Sequence, residues 1–478
     1  MKKLNLPKMN FSGRKKSASG KTQGKRKWYG RFNLSEQNAQ LIKVLVIILV
    51  FTVCLETVFV LGRKGVPVFQ QIDYLAHKSK YDREERERQE AEELRLAEEQ
   101  KEQKITSALD KAKTLASGYG YNDAVELLKN ELSEYKDDPR ITQAISEYES
   151  GQSQLAVYDG PVVHIFFHSL IADTAKAFDG DAMEAGYNAW MTTVDEFNAM
   201  MEQMYANGFI LIDIHDTVKQ VTDENGKTVY EKAELYLPQG KKPFVLSQDD
   251  VNYYEYMEDD GFAQRIVIDE DGWPACVYKN DDGTETIARD YDVVPLLEKF
   301  IQEHPDFSYK GARGIIAETG YEGSLGYRTD DPTSPTYAQD VEQATAVANR
   351  LKELGWTFAS HSWGHGHQDK MGYDAVLADA KRWAEEVQPI VGATDVYIYP
   401  YGEEIDYNSQ KLPALQEMGF NFFCGVWTKP FLEVNDTYVR QTRHNLDGYT
   451  MANRPESCEG MFDVESVWDS ARPTKNIQ

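Results

Sequence analysis

Cysteine is scarce in this sequence, and the scarcity limits the ways in which the fold can be held together. The 478 residues include four cysteines, Cys54, Cys276, Cys424 and Cys458. They are too few and too scattered for a disulfide framework or a cysteine-based zinc site. Cys54 falls in an apolar run, so the other three leave room for at most one intramolecular disulfide.

Positive charge is also scarce and is unevenly distributed. The chain carries 52 Lys/Arg against 78 Asp/Glu, a net charge of −26. Residues 1–64 hold fourteen of the basic residues and two acidic ones, so this segment is at +12 and the remainder at −38. Such an acidic surface repels nucleic acid, which we exclude as a partner of the main domain. A content of 41% hydrophobic residues still allows a large core.

Long apolar runs are absent except at residues 44–62, VLVIILVFTVCLETVFVLG. This length approaches the roughly 20 residues with which a helix crosses a bilayer, so we predict a single transmembrane helix. A cleavable signal peptide is disfavoured because some forty polar residues precede the run. Eleven Lys/Arg before Leu41 place the basic tail, residues 1–43, in the cytoplasm and the rest outside a bacterial cell membrane.

The segment after the apolar run is rich in charge and in helix-forming residues. Residues 63–104 predict a solvated helical stalk, because the apolar positions that a coiled-coil dimer needs are not sustained. Residues 105–158 show helical apolar spacing broken near Gly118 and Pro139. They resemble one tetratricopeptide-like helical hairpin, and we interpret them as a spacer.

From residue 159 to 478 short apolar runs alternate with amphipathic helices, which predicts an α/β domain with a parallel, barrel-like sheet. Two Asp-Gly turns predict a hairpin insert between Arg265 and Arg289. The predicted strands are Pro161–His168, Phe209–Ile214, Pro243–Ser247, Ala312–Glu318, Thr357–Ser360, Asp395–Tyr399 and Phe420–Val426. The predicted helices are Val194–Asn207, Tyr291–His304, Ala338–Leu354 and Tyr373–Val387.

Three predicted strand ends carry polar groups. One strand leads into Asp249 and Asp250, another leads into HSWGHGH, which contains His361 and His365, and the third leads into the tight turn Pro400-Tyr401-Gly402. Because chemistry in such barrels lies where strands end, these groups are expected to converge. Two imidazoles four residues apart can bind one cation together, and a carboxylate is a suitable third ligand. Each motif alone has an ordinary structural explanation, but their combination favours a metal site.

At this point the residues resemble a known family. LSQDDVNYY at 246–254, SHSWGH at 360–365 and YIYPYGE at 397–403 are similar, in order and spacing, to the first three motifs of the polysaccharide deacetylases related to chitooligosaccharide deacetylase, carbohydrate esterase family 4. The resemblance covers about residues 160–450. It implies an irregular (β/α) barrel and a metal-dependent hydrolase that removes N-acetyl groups from a cell-surface or cell-wall polysaccharide of N-acetylglucosamine type.

The resemblance also assigns roles to individual residues. It implies that Asp249 is the catalytic base and that Asp250, His361 and His365 hold a divalent metal, Zn²⁺ or alternatively Co²⁺ or another cation. The backbone N–H of Tyr401 is expected to stabilise the oxyanion and to contact substrate. By rough correspondence with a late histidine of the family, His444 is the candidate that protonates the leaving amine.

Two departures from the family pattern bear on this assignment. Gln248 replaces a phenylalanine before the aspartates, and Ile398 stands where the family has an arginine that orients the base. Arg440 or Arg443 could supply that charge from another strand. These departures suggest an alternative, a glycan-binding protein on the same fold with impaired chemistry; a different metal hydrolase, acting on a phosphate or amide, is a third possibility.

Other residues near the predicted site have less defined roles. His168 ends a strand and is a candidate substrate-binding residue, and Trp363 has a ring suited to stacking on a sugar. His367 is interpreted as a surface neighbour of the metal ligands.

Overall fold

A computed structural model describes residues 36–62 and 68–477 and divides the chain into two compact units, residues 1–99 and 100–478. Most of the predicted basic tail lies outside the described residues. The first unit contains α1 (Glu36–Gly62), on which the predicted span lies, and the start of α2 (Val68–Ser117). Among the described residues, no helix has both the length and the apolarity to cross a membrane.

Residues 68–104 of the segment predicted as a stalk lie within α2, and residues 63–67 lie outside the described residues. Glutamates spaced three or four residues from arginines face them along the exposed helix, as in the contact of 2.6 Å between Arg95 and Glu92. In the second unit, α3 (Tyr121–Glu131) and α4 (Pro139–Gln152) follow. They share a small apolar core with the end of α2, which consists of Ile105, Ala108, Ala112, Ala116, Ala124, Leu128, Leu132 and Ile141.

Seven parallel strands form a closed barrel in the order of the chain. Each strand pairs with the next, and the seventh pairs with the first. The predicted (β/α) barrel is therefore confirmed. The strands are β1 (Val163–Phe167), β2 (Lys242–Asp249), β3 (Ile315–Glu318), β4 (Thr357–Ser360), β5 (Val396–Ile398), β6 (Phe422–Val426) and β7 (Val439–Asn445).

One strand of the ring was placed wrongly by sequence. The predicted strand Phe209–Ile214 is observed only as Phe209–Leu211, and it pairs with β2 outside the ring. The barrel instead contains β7, between β6 and β1. This strand was not predicted, because its sequence VRQTRHN is polar. Every second residue of β7, from Val439 to Arg443, is buried, so the side chains of Gln441 and Arg443 point into the barrel.

Helices cover the outside of the barrel and bury a large apolar cluster against it. The first of the longer helices begins with a capping box, in which Thr193 and Glu196 satisfy each other's backbone N–H groups. The longer helices are Val194–Ala206, Val293–Glu303, Tyr337–Leu354 and Tyr373–Glu386. The shorter helices are Thr174–Ala177, Glu184–Trp190, Gln388–Val391, Lys411–Glu417, Gly448–Asn453 and Val464–Val467.

Antiparallel strands lie outside the parallel ring of the barrel. The predicted hairpin insert is a three-stranded sheet, whose turns contain Gly272 and Gly283 with positive φ. Its strands are Arg265–Ile268, Pro274–Lys279 and Glu285–Ala288. The other antiparallel pairs are Val218–Thr222 with Thr228–Lys232, Ala156–Tyr158 with Leu235–Leu237, and Leu432–Val434 with β7.

Candidate active site

The predicted metal ligands converge at the C-terminal ends of β2 and β4. Asp250 directly follows β2, and His361 directly follows β4. Asp250 and His365 have positive φ angles of 57° and 49°, which are uncommon for residues other than glycine and mark tightly bent loops. One ligand atom from each of Asp250, His361 and His365 lies within 4.8 Å of the others.

The chemistry of these three side chains fits a divalent cation. The Nδ1 atom of His361 lies 2.9 Å from the carbonyl oxygen of Ile398, so this nitrogen donates and Nε2 is free to bind a metal. The Nε2 atom of His365 is 3.7 Å from Oδ2 of Asp250. Two ligands about 2.1 Å from a tetrahedral zinc lie roughly 3.4 Å apart, so little movement is needed.

The pKa values of two of these side chains also suit a metal site. Burial lowers the pKa of His361 to about 4, despite the opposing charges of Asp249 and Asp250. The imidazole is therefore neutral at pH 7, as a metal ligand must be. Burial alone raises the pKa of Asp250, but His365 and then His361 bring it below its usual value. The ligand set is thus two imidazoles and one carboxylate.

Asp249 lies beside the candidate ligands but has a different partner. Its Oδ1 atom is 2.6 Å from the guanidinium of Arg443, and both side chains are almost completely buried. Its Oδ2 atom is 3.9 Å from Nε2 of His361. Burial raises the pKa of Asp249, but the charge of Arg443 and then that of His361 outweigh it and lower the pKa to about 2. Asp249 is therefore an ionised carboxylate with one oxygen free of Arg443.

The structure identifies the arginine that replaces the one expected at Ile398. Ile398 is an apolar residue of the barrel interior, and Arg443 enters the same interior from β7. Arg440 does not share this role, because its guanidinium contacts Glu404 at 2.9 Å and Glu433 at 2.7 Å. Of the two arginines that the sequence suggested, only Arg443 contacts Asp249.

The other departure from the family motif is also accounted for. Gln248 donates from Nε2 to Asp292, 2.9 Å away. Asp292 in turn caps the helix Val293–Glu303 and accepts hydrogen bonds from the backbone N–H of Leu170 and from Tyr253. Gln248 thus joins a buried polar network that supports the strand before Asp249.

Three aromatic rings, those of Tyr254, Tyr256 and Tyr321, cluster beside the candidate ligand Asp250. Tyr254 donates its hydroxyl to Oδ1 of Asp250 over 2.7 Å. The ring centroids of Tyr256 and Tyr321 each lie 5.7 Å from that of Tyr254. Tyr256 and Tyr321 are about half exposed. Tyr254 and Tyr256 lie in the segment DDVNYYEY, which was the only signal for this cluster in the sequence.

Tyr401 lies beside the site as predicted. It follows β5, has a φ of 58°, and its ring packs edge-on against His365 with the centroids 4.6 Å apart. The ring of His367 stacks on the same tyrosine at 4.3 Å. His367, Asp369 and Glu403 form a second, exposed group of possible ligands, but Glu403 is already neutralised by Lys370 at 2.8 Å.

Trp363 is held in a packed position. Its indole N–H donates to Glu386 over 2.7 Å, and the guanidinium of Arg382 lies 3.1 Å from the ring centroid. A Cβ atom at Gly320 would come within 2.0 Å of the ring. The structure therefore does not bring Trp363 to the metal ligands as an open sugar-binding surface.

The expectation that His444 serves as the acid is corrected by the structure. His444 pairs with Ile165, a residue of the outer apolar cluster, and its Nε2 atom lies 3.0 Å from the hydroxyl of Ser457. Since side chains alternate along a strand, His444 points out of the barrel while Arg443 points in. His168, in contrast, lies at the C-terminal end of β1, near Asp249 and Asp250.

One segment of the chain matches a known protein family. The sequence profile described as polysaccharide deacetylase matches residues 335–423, which include His361, His365 and Tyr401. This segment of the chain therefore matches the polysaccharide deacetylases. The resemblance noted in the sequence and the enzyme class that it implied, a hydrolase acting on carbon–nitrogen bonds other than peptide bonds, are thereby confirmed. No curated protein sequence matches this chain.

Solved structures of two deacetylases resemble the chain remotely. A Streptococcus pyogenes deacetylase, PplD, in complex with acetate has 11% identity and a TM-score of 0.33, covering 62% of this chain and 96% of its own. A de-N-acetylase from Aggregatibacter actinomycetemcomitans has 14% identity and a TM-score of 0.34, covering 60% and 95%.

Proposed function

We propose that this polysaccharide deacetylase removes acetyl groups from the amino sugars of a cell-surface or cell-wall polysaccharide, using a divalent cation of the zinc type held by Asp250, His361 and His365. The observation that carries the proposal is the convergence of these three ligands beside Asp249, an ionised carboxylate fixed by Arg443. A bound cation at this position would polarise the acetyl carbonyl and acidify the attacking water.

The chain's own residues supply the rest of the chemistry. Asp249 takes the proton of the attacking water with the carboxylate oxygen that does not contact Arg443. Arg443 keeps that carboxylate ionised and oriented. The backbone N–H of Tyr401, at the end of β5, stabilises negative charge on the carbonyl oxygen. The half-exposed rings of Tyr256 and Tyr321 offer apolar faces for the sugar.

The alternative of a glycan-binding protein with impaired chemistry loses its main support. It rested on Gln248 and Ile398, but Gln248 is used by the network around Asp292, and Arg443 provides the charge that Ile398 lacks. The proposal is supported by the position of Asp249 beside the group formed by Asp250, His361 and His365.

The test is acetate release from N-acetylglucosamine oligomers by the full chain, loaded with zinc or cobalt or stripped with a chelator. We expect release only from the metal-loaded protein. The substitution D249N should lower the rate by about 10²- to 10⁴-fold, the usual range for a general base. Sugar binding without acetate release from any N-acetylated glycan would support the binding-protein alternative instead.

We further propose that the domain acts outside a bacterial cell, attached to the membrane through residues 44–62. In support, the side chains of residues 44–51 are all more than half exposed although they are apolar, and the preceding segment is basic. Cell fractionation together with protease treatment of intact cells tests this. A catalytic domain found in the soluble fraction, or protected inside intact cells, would contradict it.

A further inference from the structure

One stacked aromatic pair is absent from the apolar clusters that the described residues form. Trp190 is the last residue of the helix Glu184–Trp190, and it is 50% exposed. Its ring stacks on that of Tyr449, in the helix Gly448–Asn453, with the centroids 5.3 Å apart and the planes inclined by 24°. Because these rings pack no core and combine an apolar face with a polar edge, they are a candidate binding surface.

Close packing between the two helices fixes the position of these rings. A Cβ atom at Gly448 would come within 2.0 Å of the carbonyl oxygen of Asn188. Only glycine therefore lets the helix that carries Tyr449 approach the helix that carries Trp190 this closely. The stacking distance of the two rings follows from this contact between the helices.

A buried arginine fixes the backbone on both sides of Trp190. Arg472 donates to the carbonyl oxygens of Asn188 and Met191, in both cases over 2.7 Å. Its guanidinium is held by Glu196 at 2.6 Å, and both side chains of this ion pair are completely buried. Breaking a buried ion pair is strongly destabilising, so the segment is held in one conformation. An indole on such a segment is preorganised for a ligand.

The pair lies at the C-terminal end of the barrel, on the side of β7 and β1. Leu446, which follows β7, donates its backbone N–H to Phe166 of β1 over 3.3 Å. The hydroxyl of Thr192 donates to the carbonyl oxygen of Leu446 over 2.7 Å. Trp190 comes two residues before Thr192, and Tyr449 comes three residues after Leu446. Both rings therefore lie at the rim where these two strands end.

The rim continues from this pair to the tyrosine cluster beside Asp250. Around the barrel the strands follow the order β7, β1, β2 and β3. Asp249 ends β2, and the tyrosine cluster extends to Tyr321 after β3. Tyr187, in the helix that ends at Trp190, and Tyr254 belong to one apolar cluster. The two aromatic groups are thus joined by packed residues and lie on either side of Asp249 in the order of the strands.

The chemistry of the pair suits a neutral sugar ring. A flat aromatic face can contact the C–H face of a pyranose, and the indole N–H and the phenol hydroxyl provide polar groups at the edge. The guanidinium carbon of Arg454, 5.7 Å from the ring centroid of Tyr449, brings further donors for hydroxyl or acetyl oxygens. The acidic chain disfavours polymers that carry phosphate, whereas N-acetylated sugars carry no charge.

We propose that Trp190 and Tyr449 form a separate sugar-binding subsite, which holds another sugar of the glycan chain that is being deacetylated. The identity of that chain rests on the proposed deacetylase function. Because the subsite lies at the ends of β7 and β1, and the candidate ligands at the ends of β2 and β4, a short oligomer cannot fill both. The enzyme is therefore specific for polymers and long oligomers and discriminates against a disaccharide.

The first test measures binding without turnover. The full chain carrying D249N, loaded with metal, is titrated calorimetrically with the disaccharide and the hexasaccharide of N-acetylglucosamine. Adding W190A should raise Kd for the hexasaccharide by about 2- to 10-fold, the effect of one lost aromatic contact, and leave the disaccharide unaffected. Y449A provides a second variant with the same expectation. Y236A, at an exposed tyrosine on the strand Leu235–Leu237, is the matched control and should change neither value.

The second test measures turnover in chains that keep Asp249. W190A should lower kcat/KM for the hexasaccharide by the same factor as it weakens binding, through KM, and should leave kcat unchanged. Its rate on the disaccharide should equal that of wild type.

The outcomes separate the subsite from the proposed function. Hexasaccharide affinities of W190A and Y449A that match that of Y236A would overturn the subsite alone. Equal losses on the disaccharide and the hexasaccharide would also overturn it, since they place the rings at the acetylated sugar or indicate a damaged fold. A wild-type protein that releases no acetate, while W190A still weakens hexasaccharide binding, would contradict the proposed function and support the subsite.

Discussion

The two ends of the barrel carry the same residue types in opposite arrangements. At the N-terminal end, where Asp395 precedes β5, the ring of His215 lies between two aspartates, 2.6 Å from Asp213 and 2.9 Å from Asp395. At the C-terminal end, His361 and His365 are 3.9 and 3.7 Å from the nearest carboxylate oxygens. These separations are too long for hydrogen bonds.

The difference in spacing produces opposite charge states. Burial lowers the pKa of His215, but its hydrogen bonds to Asp213 and then Asp395 raise it to about 10. For His361 burial prevails, and the pKa falls to about 4. A protonated ring with both nitrogens bonded lies at one end of the barrel, whereas the neutral ring of His361 at the other end keeps a nitrogen for a metal. Distance and partners, more than residue type, separate a structural cluster from a candidate site.

The largest effect is expected from removing the charge that fixes the base. R443M should cost about 3–5 kcal/mol of unfolding free energy, because it leaves Asp249 buried without a partner. It should lower kcat/KM by about 10- to 100-fold. The acid limb of the pH–rate profile should move to higher pH, because the pKa of Asp249 rises when Arg443 no longer opposes burial.

R440M is the matched control, since Arg440 contacts Glu404 and Glu433 and not the base. Its pH–rate profile should coincide with that of wild type. An R443M protein with an unshifted acid limb would show that Arg443 does not tune Asp249.

An intermediate effect is expected at the opposite end. H215Q should cost about 1–3 kcal/mol of unfolding free energy, less than a fully buried pair because the His215 side chain is partly exposed. The folded-state pKa of His215 lies above its unfolded value. The stabilisation is therefore complete below about pH 6.5 and is lost as the pH rises towards 10.

Denaturant unfolding from pH 6 to 10 measures this difference between wild type and H215Q, and metal content should be the same in both. The exposed pair His77 and Asp73, 3.3 Å apart, provides the control H77Q, for which no stability change is expected. A stability difference between wild type and H215Q that does not shrink at high pH would refute the protonated cluster.

The smallest effect concerns the aromatic rim, which we place at the C-terminal end. Y256A should raise KM for N-acetylglucosamine oligomers by about 2- to 10-fold while leaving kcat nearly unchanged, because one stacking contact is worth about 0.5–1.5 kcal/mol. Y236A is the control, because Tyr236 is also exposed but lies on the strand Leu235–Leu237, where its hydroxyl donates to Glu234. An unchanged KM for Y256A would exclude the stack from substrate binding.

Sequence reasoning succeeded where the signal was local. Apolar runs ending in Asp249 and His361 predicted both the strands and the convergence of their ends, since parallel strands bring like ends together. It failed where the signal depended on long-range pairing. The strand β7 carries polar side chains such as Arg443 in the barrel interior, so its sequence pattern did not resemble that of a core strand. The face of β7 on which His444 lies follows only from its register with Ile165.

The missing arginine shows the same limit. The sequence indicated that Ile398 could not orient the base and suggested two replacements 190 residues or more from Asp249. Choosing between them required knowing which residues of β7 face inward, and that depends on where the strand begins. Only the contact of 2.6 Å between Arg443 and Asp249 decides it.

The most direct test of the central claim is anomalous diffraction from crystals of the zinc-loaded protein. The account predicts one strong peak about 2.0–2.2 Å from Nε2 of His361, a ring nitrogen of His365 and a carboxylate oxygen of Asp250, lost in H361A. A peak at His367, Asp369 and Glu403 instead, or no peak after loading, would contradict it.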